Sequence, residues 1–205
     1  MVNEERDLGI VLSSNLKFSG QAAFASSKAS SVLGMLKNTF ASRDVELWTS
    51  LYKTYVRPHL EFAVSAWNPY LKKDKLALEK VQRRATRMPT SIKDFDYETR
   101  KDVMGLTSLE TRRLRGDLIQ FFKITKGLDY INWHSHLTWS EPRAERRAQL
   151  RREITTTSNR HNFLTNRIAN VWNSLPNDTV NSSSVNEFKS KIDPWLLEIT
   201  ERAAL

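Results

Sequence analysis

Lys80, Arg83, Arg84 and Arg87 fall at i, i+3, i+4 and i+7 within the run from Leu78 to Met88. At 3.6 residues per turn they share one face of a helix. Leu78, Val81, Ala85 and Met88 fall beside them and are expected to face a core. Four cations held on one side of a rod can neutralise a run of phosphates, which is the chemistry of gripping a polyanion. A solvated surface face is the plainer reading of the same pattern. Two further groups carry the same potential. Arg112, Arg113 and Arg115 are one, although Arg113 and Asp117 stand at i,i+4 and are expected to pair. Arg143, Arg146, Arg147, Arg151 and Arg152 form the densest arginine cluster of the chain.

Other chemistry is poorly represented. There is no Gly-rich phosphate loop and no recognisable Ser, His and Asp nucleophile setting. His134 and His136 offer two metal nitrogens, with no third ligand marked nearby. Asp94 and Asp96 read either as paired carboxylates for Mg²⁺ or as a turn followed by a helix cap. Two-metal nucleotidyl transfer needs converging acids, and no such set is marked. The residues predict a basic binding module with no catalytic centre, metal site or cofactor of its own. Trp48, Tyr52, Tyr55, Trp67 and Trp172 sit at helical spacing and are expected in cores rather than as base-stacking platforms.

The elements that must carry these residues are mostly helical. Gly 6 and Pro 6 in 205 residues are few chain breakers, and the periodic runs are long. Leu8, Ile10, Leu12, Leu16 and Phe18 alternate weakly and predict a short hairpin turning at Ser13–Ser14–Asn15. Ser19 is expected to cap a helix reaching about Ser42, with Ala22, Ala25, Ala29, Leu33, Leu36 and Phe40 inward. Ser42 or Asp44 caps the next helix, and Pro58 should kink or restart it after Arg57. Leu60, Phe62, Ala63, Ala66 and Trp67 continue the apolar pattern. Asp74 is expected to cap the basic helix, Asp96 a short helix, and Thr107 with Glu110 forms a capping box. A second box, Ser184 with Glu187, opens a last helix. Residues 129–159 read as a helix or as a basic arm that orders on phosphates. The expected organisation is a hairpin at 1–18, a helical bundle at 19–90, connecting helices at 91–128, a basic arm or loop at 129–159 and a C-terminal helical segment at 160–205.

Lys+Arg 32 against Asp+Glu 23 leaves a formal net charge of +9, which favours nucleic acid or an acidic surface as partner. Cys is 0, so disulfides and thiolate zinc sites are excluded and an intracellular setting, nuclear or cytoplasmic, is expected. No apolar run approaches the ~20 residues needed to span a bilayer. The charged start, Met1 to Asp7, does not read as a signal peptide.

Several stretches in this order and spacing resemble the C-terminal part of reverse transcriptases encoded by non-LTR (LINE-type) retrotransposons, of the jockey and chicken-repeat kind. They are Asp7–Leu8–Gly9–Ile10 with Leu16–Lys17–Phe18, Leu51–Tyr52–Lys53 with Val56 to Phe62, and Trp67–Asn68–Pro69–Tyr70. Leu78 to Arg84, Gly105 to Glu110, Arg113 to Ile119, and Val171 to Pro176 with Phe188–Lys189 complete the set. The resemblance implies that the hairpin is the last of a palm sheet and that the following helices are a thumb with an extension. It implies that the catalytic aspartates, and any Mg²⁺, belong to a palm upstream. The implied partners are RNA or RNA–DNA hybrid, held through sugar and phosphate without sequence preference, and the palm and fingers of the parent polymerase. A protein-interaction module and a translated relic are the competing readings.

Overall fold

The computed structural model describes residues 4–131, 137–142 and 147–202, the last three by backbone alone. It is mainly helical, with a short antiparallel hairpin near the N-terminus. The chain divides into two compact units, Met1–Arg112 and Arg113–Leu205. Among the described residues, no helix is long and apolar enough to cross a membrane.

In the first unit, β1 (Glu4–Asp7) pairs with β2 (Ile10–Ser13), Asp7 opposite Ile10. The hairpin therefore turns at Leu8–Gly9, not at Ser13–Asn15. A two-residue loop between twisted strands favours positive φ at both positions, and Leu8 and Gly9 stand at 44° and 87°. Ser13–Asn15 is a turn too, closed by Leu16 N–H on Ser13 O and by Lys17 N–H on the Asn15 carboxamide. It ends β2 and leads into α1 (Ser19–Thr39).

Ala22, Ala25, Ala29, Leu33 and Leu36 of α1 are buried as their spacing predicts, and Phe40 packs at the edge. Ser19 does not cap α1. Its hydroxyl donates to Asp74 Oδ2 at 2.6 Å, so Asp74 is a buried acceptor in the first turn of α5 (Lys72–Ala85) rather than its cap. Asp44 does cap α2 (Val45–Leu51), accepting from Leu47 N–H at 2.9 Å.

The helix beyond α2 widens into a π-helical segment, Tyr52–Val56, before α3 (Arg57–Glu61) restarts with Pro58 in its first turn. Proline cannot donate an amide and its ring crowds the preceding turn, and the wider turn accommodates both. This register change puts Tyr55 outside, 53% exposed, against the expectation of a core residue. Phe62, Ala63 and Ala66 also face outward, because the chain breaks at Ala63 (φ 49°) before α4 (Val64–Trp67).

α6 (Tyr97–Val103) is capped by Asp96, which accepts from Glu98 and Thr99 N–H. Asp96 is thus a cap, and hydrogen bonds from Thr99 hold its carboxyl below the usual range. α7 (Leu109–Thr125) begins one residue later than the predicted box allows: Ser108, not Thr107, accepts from Thr111 N–H at 3.1 Å. Glu110 pairs with Lys75 instead of reaching back. One apolar core joins α1 to α5, with Trp48, Trp67 and Leu78 as its large members, and includes Ile92, Met104 and Leu109.

The second unit takes the rest of α7, then α8 (Ser158–His161), α9 (Leu164–Ser174), α10 (Asn177–Val180) and α11 (Val185–Arg202). Its core is Leu118, Phe121, Phe122, Trp172, Phe188 and Ile192 with their neighbours. Phe122 stacks on Phe188 at 4.2 Å, and Phe121 meets Trp172 edge-on at 4.8 Å, the latter a favoured ring geometry. Where residues 129–159 are described they form no helix before α8. Trp139 and Leu150 make an antiparallel bridge, and Leu150 is buried in this core. Ser184 caps α11 through Glu187 N–H at 3.1 Å, and Glu187 reaches back to Ser183 N–H at 2.8 Å.

Candidate nucleic-acid interface

α1 lies alongside α5, and the two contribute matching seams to an open groove of about 610 Å³. From α1 come Ala23, Ser26, Ser27 and Ser30, spaced i, i+3, i+4 and i+7. From α5 come Ala77, Lys80, Val81 and Arg84 at the same spacing, with Arg83 and Arg87 at the rim. Small side chains on both helices keep the groove open. Leu78, Val81 and Ala85 are buried beside it and fix the face that α5 turns outward.

All four sequence-predicted cations are exposed and line this one groove. α5 ends at Ala85, so Arg87 extends from the turn that follows rather than from the helix. No carboxylate lines the groove among the described residues. None of the four enters an ion pair there either. Arg84 Nη2 donates to the Ser30 hydroxyl at 2.6 Å, tying one wall to the other. Arg83 lies over the Tyr97 ring at 4.6 Å, a cation–π contact that orients the guanidinium without neutralising it.

A polar network stands behind Arg83. Tyr97 Oη donates to Glu79 Oε1, and Glu79 Oε2 accepts from Leu109 N–H at 3.0 Å. Gln82 Nε2 donates to Tyr97 Oη and to Thr107 O, both at 3.0 Å, and Gln82 Oε1 accepts from Tyr52 Oη at 2.6 Å. Burial, then the bond to Glu79, raises the Tyr97 phenol above its ordinary value; burial does the same to Tyr52. Both phenols therefore stay protonated. Arg100, also buried, donates from Nε to Thr86 Oγ1 at 3.0 Å; burial and then Arg87 lower its pKa.

Of the other predicted cations, Arg112, Arg115 and Arg147 are committed elsewhere, Arg113 is buried, and Arg151 and Arg152 are exposed. Arg112 Nη2 reaches Glu61 Oε2 at 2.9 Å in a bidentate pair. Arg115 forms a two-pronged pair with Asp193, Nη2 to Oδ2 at 3.0 Å. Arg113 is 1% exposed, so its guanidinium is shut away from a nucleic-acid strand. Asp117 is clasped by Arg167 at 2.7 and 2.8 Å, a partner that helical spacing could not reveal. Arg147 donates to Leu175 O at 2.9 Å and to Trp172 O, satisfying the last carbonyls of α9. Burial lowers its pKa. Arg151 is exposed, as is Arg152, which reaches the His161 ring at 3.0 Å. Arg143 and Arg146 lie outside the described residues, as do His134 and His136. Among the described residues, no group of three His, Asp or Glu is placed to hold a metal.

The serine seam of α1 is the part of the groove that the sequence reading missed. Ser26, Ser27 and Ser30 flank the buried Ala22, Ala25 and Ala29 at helical spacing, which is a legible signal. Only the packing of α1 on α5 shows that they oppose the cations. No family model, curated protein or solved structure matches the chain.

Proposed function

We propose that this chain is a non-catalytic helical module of a non-LTR retrotransposon reverse transcriptase, gripping template–primer or element RNA by its backbone. The observation that supports this most is the groove. Four exposed cations converge on it with no lining carboxylate among the described residues, and small side chains let a strand approach. Contacts of this kind go to phosphate and sugar and carry little sequence information. The reaction itself belongs, in this reading, to a palm outside these residues, which would supply the acids and Mg²⁺.

Affinity of the full chain for an RNA–DNA hybrid, followed from 50 to 200 mM salt, tests the grip. Four neutralised phosphates give a slope of log K on log salt of about −3 to −4. R83E/R84E should weaken binding by more than about tenfold and flatten the slope. Binding indifferent to salt or to that charge reversal would sink the proposal. A protein partner lost on the same reversal, with RNA affinity unchanged, would favour the interaction-module reading instead.

A further inference from the structure

The groove has two chemically different walls, and the proposed function uses only one of them. Lys80, Arg83, Arg84 and Arg87 supply charge without hydrogen-bond acceptors. Ser26, Ser27 and Ser30 face them from α1 and supply hydroxyls, which both donate and accept. The Ser27 side chain is exposed, and the other two are half-buried in the groove wall. Ser26 gives its proton to Ala23 O at 3.0 Å and keeps its lone pairs for an incoming donor. Ser30 accepts from Arg84, which places that hydroxyl beside the cationic wall.

A nucleic-acid strand presents phosphates along one edge and sugars beside them. With the phosphates on the cationic wall, the sugars lie toward the serines. DNA offers no sugar hydroxyl at the 2′ position, whereas ribose offers a group that both donates and accepts. We infer that the serine wall reads ribose 2′-hydroxyls, so that the groove selects an RNA strand over a DNA strand of the same sequence. This rests on the proposed nucleic-acid role and adds the class of strand to it.

The test uses the full chain and three labelled strands of one sequence: RNA, DNA and 2′-fluoro RNA. The fluoro strand keeps the RNA-like sugar shape and lacks the hydroxyl donor. Expected is RNA binding at least about threefold tighter than DNA, with the fluoro strand close to DNA. The S26A/S27A/S30A variant should lose that preference and keep its salt slope, since no charge changes. S26A/S27A, which retains the Ser30–Arg84 bond, should lose most of it. Alanine is the better helix former, so α1 is not weakened by the changes. Equal binding of RNA and DNA by the unaltered chain overturns the inference and leaves the grip standing. So does fluoro RNA binding like RNA, which would mean that strand shape is read. Persistence of the preference in the triple variant overturns it as well. Failure of any strand to bind overturns the inference too, and the hybrid titration decides the grip separately.

Discussion

At the scale of single residues, partners decide which cations remain available. Arg83 and Arg112 both sit on helices, yet Arg112 is held by Glu61 while Arg83 rests on a neutral ring. Tyr97 therefore acts as the support that points Arg83 at the groove. Tyr97→Leu should weaken RNA binding by about two- to fivefold relative to Tyr97→Phe, which keeps the ring and loses only the hydroxyl's bonds to Glu79 and Gln82. Equal affinities of the two variants would show that the ring does not orient Arg83. Glu187 offers a second residue-level test. Bonds from Lys191 and then Ser183 lower its carboxyl from 4.5 to about 2. A group depressed on folding stabilises fully above its unfolded value, and that contribution fades as pH falls through the folded value. The α11 cap should thus hold at pH 5 and weaken from about 4.5 toward 2, and carboxyl titration by NMR will locate the midpoint.

At the scale of elements, backbone requirements override side-chain pattern in several places. The hairpin loop Leu8–Gly9 takes positive φ at both positions, although Leu8, 89% exposed, is an unfavourable residue there. Leu8→Asn should raise thermal stability by about 1 kcal/mol, since asparagine enters this region readily and little burial is lost. The chain at Leu150 is pinned by Asn173, whose carboxamide accepts from Leu150 N–H and donates to Leu150 O, both at 2.9 Å. Asn173→Leu strands both backbone groups and should cost about 2–3 kcal/mol, with faster amide exchange at Leu150 as the local readout.

At the scale of the molecule, two apolar cores serve two units, and every residue lining the cationic groove belongs to the first. Ile192 is fully buried in the second core. Ile192→Ala should cost about 2–5 kcal/mol and speed hydrogen exchange in the second unit before the first. Simultaneous loss of protection in both would show that they unfold as one.

Periodicity alone determined the helical class, the inward stripes of α1 and α5, and the outward stripe of four cations. These are local consequences of 3.6 residues per turn, and each is readable from spacing within one segment. The cap assignments were partly legible: Asp44, Asp96 and Ser184 act locally, whereas Ser19 and Asp74 satisfy each other across 55 positions. Only tertiary structure decided which arginines stay available. Arg167 reaches Asp117 across 50 positions and Arg115 reaches Asp193 across 78, separations that no local pattern encodes. The serine wall has the same origin. A helix face becomes half of a groove only when a second helix is laid beside it, as α5 is beside α1.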